Sequence, residues 1–323
     1  MCYLNPMFKM AYLLFIIFFL GCNATSPPYK IALVAPLSGP LSYWGKMCEQ
    51  GVRLRLKEKN IILKSFDNKG KPEITRQIFD KIIKEDFLIV IGPLGCKCLH
   101  AALPKIKKGH LPTISLGCFE DMRKGDSWAI NLLTEEQEAN AIISYLKKQK
   151  IKRWALIYED EFGEKDLINF IIQAKIVKPI MAYKASEKNL APCLNKLKSV
   201  SPEAVIFIGL PKVAGLLSMG AEKEGINTTF IGTYALLDNE FLEIDTAKNF
   251  LICTPTLKGK EGFKDAFAQH YYDTPHWIAA CGYAAMDLCI EAMKNRTNRK
   301  AIYKFLIKHH LSKMEFKLYG HLD

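Results

Sequence analysis

The chain has 323 residues, 49% of them apolar, with 45 Lys and Arg against 33 Asp and Glu, a formal charge of +12. That length and apolar content exclude a disordered tail and suit a folded body of two domains. Charge of this sign draws nucleic acid when it is clustered. Here the lysines fall in short separate groups, at 105–108, 147–153 and 294–300, without an aromatic-interleaved basic stripe, so the excess reads as solvated surface and no nucleic-acid partner is expected.

At the start, a lone basic residue, Lys9, precedes the uncharged run MAYLLFIIFFL over 10–20 and then Gly21-Cys22, ahead of the polar NATSPP. A basic start, an apolar stretch of about 7–15 residues and a small residue before the cut mark a secretory leader, whereas a spanning helix needs about 20 apolar residues. Phe19-Leu20-Gly21-Cys22 resembles the bacterial lipobox. Residues 1–21 are therefore expected to be a signal peptide, Cys22 the lipidated first residue of the mature chain, and 22–28 a tether. An uncleaved anchor and plain secretion are the alternatives, and Met7 or Met10 are alternative starts.

Export permits disulfides. Of ten cysteines, Cys2 falls in the leader and Cys22 at the lipidation site. The others allow too many pairings for connectivity to be read. Cys96-Lys97-Cys98 lacks both the redox CxxC spacing and a second pair at zinc-finger spacing. Buried thiols or one or two disulfides are expected, with soft-metal capture by Cys96, Cys98, Cys118 and His100 or His110 as the alternative.

From Tyr29 onward, strand-like apolar runs occur at 30–37, 63–67, 87–93, 113–117, 154–159, 179–184, 204–209, 229–234 and 250–254. Helical patterns separate them. Within 43–59, Trp44, Met47, Cys48, Gly51 and Val52 fall on one helical face. Pro72 suits a first helical turn, and Ile74, Ile78 and Ile82 follow at four-residue steps. Strands alternating with helices mean right-handed βαβ units and parallel sheets covered on both faces. The expected fold class is thus α/β, with two doubly wound parallel-sheet lobes. One strand–helix block runs over 29–130 and a second over 131–250. After Thr256 the pattern turns helical, at 261–272, 277–294 and 299–309. Ligand crevices of such sheets lie beyond the carboxyl ends of the strands. Loops 36–44, 93–98, 117–121, 159–163, 209–212 and 232–237 are therefore expected to converge.

Catalysis finds no support. GxSxG, HExxH, P-loop and GxGxxG motifs are absent from the sequence, and its seven histidines stand in mostly surface-like contexts. Ser38 has no predicted base and reads as a turn residue capping toward the first helix. No catalytic residue, cofactor or metal is expected.

The segment KIALVAPLSGPLSYWGKMCEQGVRLRLKEKN is followed by FDNKGKPE, DFLIVIGPLG, LPTISLG, YEDEFGEKDL, SPEAVIFIGL, GINTTFIGTYALLDNEFL and FKDAFAQHYYDTPHWIAACGYAAMDL. In order and spacing this succession resembles type I periplasmic binding proteins of the leucine/isoleucine/valine-binding class. The resemblance implies two α/β lobes joined by three crossovers, lobe 1 from 29–130 plus 255–311 and lobe 2 from 131–254 plus 312–323. It also implies a small ligand, amino-acid-like or another small metabolite, trapped between them by hinge closure and delivered to the membrane subunits of an ABC permease. Some relatives instead act as sensors or as lipoproteins that regulate wall synthesis. Location would be periplasmic or at the cell surface, lipid-anchored to a bacterial membrane. The short tail after Leu311 raises the expectation of a reduced second lobe.

By resemblance, the ligand-binding positions fall at Trp44, Cys96, Gly117, Phe119, Phe162, Leu210 and Tyr234. Trp44 retains the family's aromatic. Cys96, Phe119 and Phe162 replace polar groups, Leu210 an aromatic, and Tyr234 the acid that pairs a ligand ammonium. Main-chain N–H groups at the helix start near 96–99 are left for a ligand carboxylate. Glu120, Asp121, Asp160, Glu161 and Asp238 are substitute acids. An unpaired buried charge costs several kcal/mol. The expectation is therefore a ligand other than an ordinary amino acid, or a cleft that has lost ligand binding.

Overall fold

The computed structural model describes residues 28–119, 122, 126–159, 165–174, 178–237 and 239–320. The leader, Cys22 and most of the tether lie outside the described residues. Two open sheets carry the fold. The first contains β1 (Tyr29–Ala35), β2 (Ile61–Asp67), β3 (Phe87–Leu94), β4 (Thr113–Leu116) and β5 (Ala129–Asn131) in the order β2-β1-β3-β4-β5, parallel throughout. Residues 31–35 of β1 are fully buried because helices cover both faces of a central parallel strand, whereas edge strand β2 alternates in exposure.

The second sheet contains β6 (Trp154–Tyr158), β7 (Met181–Lys184), β8 (Ala204–Ile208), β9 (Thr229–Gly232), β10 (Phe250–Leu257) and β11 (Met314–Gly320), ordered β11-β10-β9-β8-β6-β7. Its strands are parallel except β11, which runs antiparallel to β10 with seven residues in register, from Leu251 opposite Gly320 to Leu257 opposite Met314. The tail therefore supplies an edge strand of the second sheet. Sequence reading also passes over β5, whose three residues are too few for a period to register.

Helices α1 (Ser42–Arg55), α2 (Pro72–Ile82) and α3 (Cys96–Lys108) connect strands of the first sheet, and α4 (Glu135–Lys148), α5 (Lys165–Gln173), α6 (Leu190–Val200) and α7 (Pro211–Lys223) those leading through the second. The expected first helix, 43–59, ends at Arg55. Thr134 starts α4 with a capping box, its hydroxyl accepting from Gln137 N while the Gln137 side chain accepts from Thr134 N.

The chain then returns to the first sheet as α8 (Phe263–Tyr271), α9 (Trp277–Met293) and α10 (Arg299–His309), before β11 crosses back. Passages at β5–α4, β10–α8 and α10–β11 make three crossovers. Helix α9 has fourteen of seventeen residues buried, as a helix enclosed on all sides must. It lies against α1, β3, β4 and β10. Two glycines set the approach of α1 and α9: a Cβ at Gly51 would stand 1.9 Å from the Ala279 carbonyl oxygen, and one at Gly282 2.3 Å from that of Cys48. Arg299 anchors α10 by donating to the carbonyls of Phe87, Gly109 and Glu85.

A candidate ligand cleft between the two sheets

Loop 36–41 leaves β1 under the control of Asp67, whose carboxylate accepts from Leu37 N at 2.9 Å, from the Ser38 hydroxyl at 2.5 Å and from Lys69 N at 2.9 Å. Burial works to raise the Asp67 pKa, but these hydrogen bonds hold it below the ordinary carboxylate range. Ser38 is thus a loop lock. It caps no helix, since α1 begins without a side-chain cap.

Beyond the strand ends, aromatic rings from both sheets meet. The Phe119 and Tyr234 rings are 4.6 Å apart, and Trp277 approaches Tyr234 at 5.4 Å and Phe119 at 6.1 Å. Trp44 joins through Trp277 at 6.4 Å and meets the His276 ring edge-on at 4.3 Å. Gly117 lies directly against this group, since a Cβ there would come within 3.2 Å of Leu94 and 3.6 Å of the Trp277 ring. Its φ of +64° is natural to glycine. His276 is held at Nε2 by the Leu237 carbonyl at 3.0 Å and at Nδ1 by Ile278 N at 3.4 Å, which fixes the Nε2–H tautomer.

The structure brings together Trp44, Gly117, Phe119 and Tyr234 of the positions read from the sequence. Cys96 is there too, in a disulfide with Cys118, Cα atoms 4.8 Å apart, that ties the first residue of α3 to the loop that carries Gly117 and Phe119. That bond also removes two thiols from the soft-metal alternative, and among the described residues no three His, Cys, Asp or Glu side chains converge as a metal set. The remaining described cysteines are buried free thiols. Leu210 stands half exposed on the rim, its N–H donating to Glu159 Oε2 at 2.6 Å. Phe162 and the substitute acids Glu120, Asp121, Asp160, Glu161 and Asp238 lie outside the described residues.

Sequence reading missed His276 and Trp277, treating the histidine as surface-like. Their signal was Pro275-His276-Trp277 set immediately before an uninterrupted apolar helix. It also missed Glu138 on α4, which is fully buried and accepts from Tyr234 N through Oε1 at 3.2 Å, while Oε2 has no hydrogen-bond partner among the described residues. Burial pushes this carboxyl up to about 8, against the Tyr234 hydrogen bond and with the help of Glu135.

The disulfide's expected contribution follows from the 22-residue separation it spans. Replacing both Cys96 and Cys118 by serine is expected to cost about 3 kcal/mol. Thermal unfolding with and without reductant checks this, because the double variant should lose its response to reductant.

Two lobes of parallel sheet, three crossovers and a crevice beyond the strand ends define a two-lobed binding protein of the type I class. A family model described as "Periplasmic binding protein" matches residues 28–314, and the chain belongs to that family. Among curated relatives, the Leu/Ile/Val-binding protein BraC3 of Rhizobium johnstonii is 24% identical over 67% of this chain and 64% of its own length. The leucine-specific-binding protein of Salmonella typhimurium is 24% identical over 65% of this chain and 62% of its own. Each match thus spans just under two thirds of the relative. Solved structures agree in fold. LivJ from Streptococcus pneumoniae, in complex with isoleucine, superposes with a TM-score of 0.69 at 20% identity, covering 87% of this chain and 88% of that one. A Desulfitobacterium hafniense substrate-binding protein in complex with Leu gives 0.71 at 17% identity, covering 89% and 92%. A Rhodopseudomonas palustris solute-binding protein in complex with 3,4-dihydroxybenzoic acid gives 0.66 at 18% identity, covering 86% and 84%.

Proposed function

We propose that this protein is an extracytoplasmic solute-binding lipoprotein, anchored through Cys22, that captures a small ligand between its lobes and presents it to an ABC-type permease. In this reading 29–130 plus 255–311 closes against 131–254 plus 312–323. The observation that carries it is the aromatic group in which Trp44, Phe119 and Trp277 of the first body face Tyr234 of the second. These edge-on and tilted rings touch in this arrangement, and when the two bodies part their faces suit a flat apolar ligand. Tyr234 offers no carboxylate to a ligand ammonium, and Cys96 is spent in a disulfide, so the ligand is an aromatic or otherwise flat-faced small molecule without an α-amino acid's paired charges. A lipid tether keeps the cleft near its membrane partner at high effective concentration.

Thermal melts with added ligand test this, because a ligand that binds only the native state stabilises it by about 2.7 kcal/mol at 100 times its Kd. Aromatic carboxylates, 3,4-dihydroxybenzoate among them, should raise the melting temperature, and L-leucine and L-isoleucine should leave it unchanged. A shift with leucine alone would overturn the ligand class. A second reading is a same-fold lipoprotein that senses or contacts a wall synthase without transport. The 4.6 Å contact of Phe119 with Tyr234 favours it, because the two bodies already touch where a ligand would lie. Absence of any shift, with a synthase recovered by crosslinking, would establish that reading.

A further inference from the structure

Behind the cleft wall, Glu138 stands where the second body's ring-bearing segment turns out of β9. It is 0% exposed, as is Thr233, and Glu138 Oε2 and Thr233 Oγ1 are both buried without a hydrogen-bond partner among the described residues. The one described bond of the carboxyl is Oε1 accepting from Tyr234 N. Tyr234 is also the residue whose ring meets Phe119 and Trp277. A buried carboxyl with an unpaired oxygen costs stability, and buried acids of this kind concentrate at functional sites.

We propose that Glu138 is a positioning residue for the cleft: its carboxyl fixes the main chain at Tyr234 and so seats the Tyr234 ring between Phe119 and Trp277, although Glu138 itself lies outside the cleft lining. The proposal rests on the cleft reading above for its consequence, ligand capture, and on the geometry alone for the positioning.

The surroundings determine in which form the acid works. Glu135 on the same helix raises the cost of charging it. From β10, Cys253 approaches the Glu138 carbonyl, not its carboxyl. Toward β11, Glu315 and Lys317 line a groove with Gln137 and Asn140, on another face of α4, and pair with each other at 3.1 Å. From the 234–237 turn comes the Tyr234 N–H. No cation among these contacts faces the carboxyl, so the neutral acid is the working form. Ionisation strengthens the hydrogen bond from Tyr234 N but leaves charge uncompensated in the dry interior, which draws water to Oε2 and loosens the packing of the Tyr234 ring against its neighbours.

The experiment needs no ligand, so its failure is distinguishable from failure of the transport reading. In the intact protein labelled at tyrosine, with assignment by Tyr234→Phe, the Tyr234 amide resonance should move through a midpoint near pH 8, the value burial gives Glu138. Nuclear Overhauser contacts from the Tyr234 ring to Trp277 and Phe119 should fade across the same range. Glu138→Gln should keep those ring contacts and lose the titration. Glu138→Leu should lose the contacts at every pH. Undiminished contacts in Glu138→Leu, or an identical amide titration in Glu138→Gln, overturn the proposal. Should the leucine variant fail to fold, the unsubstituted protein decides: ring contacts that stay constant from pH 6 to 10 overturn it.

Discussion

Glutamine in place of Glu138 is expected to raise the melting temperature at pH 8 and to lower it at pH 4, so that the stability curves of the two proteins cross. The native carboxyl holds its proton up to about pH 8, against an ordinary value of 4.5. Between those limits the folded state binds more protons than the unfolded state, so the contribution of this group to stability is greatest below pH 4.5. It declines as pH rises and levels off above 8. At 1.36 kcal/mol per unit, that decline totals about 5 kcal/mol. Glutamine removes it, but sets a buried amide where Oε2 has no partner, at a cost of about 1–3 kcal/mol. The net gain at pH 8 is roughly 2–4 kcal/mol, which is on the order of 5–10 °C. At pH 4 only the cost remains. Melts at half-unit pH steps check the prediction, and parallel curves would show that the carboxyl ionises alike in both states.

Fold was more legible in this sequence than site, for a physical reason. Burial on both faces turns the central parallel strands into apolar runs, and the nine strand-like segments read from the sequence correspond to β1–β4 and β6–β10, including the partly exposed edges β2 and β7. The strands that escaped are β5, with three residues, and β11, a partly exposed antiparallel edge that follows the helical stretch at 299–309. The cleft depends on contacts between residues far apart in the chain. The loops that carry Phe119 and Tyr234 were readable because each follows a strand end, and the two positions within them came from the family resemblance. Glu138 was not, because it sits in an acidic first turn, among Glu135 and Glu136, that looks like ordinary helix-dipole chemistry. Nothing local distinguishes the one acid that turns inward. Likewise, the pairing of Cys96 with Cys118 follows from β3 and β4 being neighbours, a fact of topology and not of spacing.

Alanine at Asp287 is expected to destabilise the protein by about 3–5 kcal/mol, the range for a buried ion pair that loses one partner. Asp287 lies on α9 with its side chain 12% exposed, and accepts from Arg55 Nε of α1 at 2.6 Å through Oδ1 and from Lys313 Nζ at 2.7 Å through Oδ2. Arg55 keeps Glu58 and Lys313 keeps Glu291 as further partners, which places the loss toward the lower end. Lys313 is the last residue before β11, on the third passage between the sheets, so the carboxylate joins the helix pair of the first sheet to a connecting strand that any hinge motion must bend. Burial works to raise the Asp287 pKa, yet the hydrogen bonds and charges of Lys313 and Arg55 hold it below the ordinary value. A depressed carboxylate stabilises the native state fully above its unfolded value and loses that contribution as pH falls through the folded one. The acid limb of the stability profile should therefore be shallower in Asp287→Ala than in the unsubstituted protein, with the difference between them largest near neutrality and smallest at the lowest pH. Denaturant titrations at pH 7 and pH 3 separate the two effects. Equal losses at both would mean that the residue acts through packing alone, and the same pair of titrations on Lys313→Met would show whether the charge at the crossover or the helix contact at Arg55 carries the larger share.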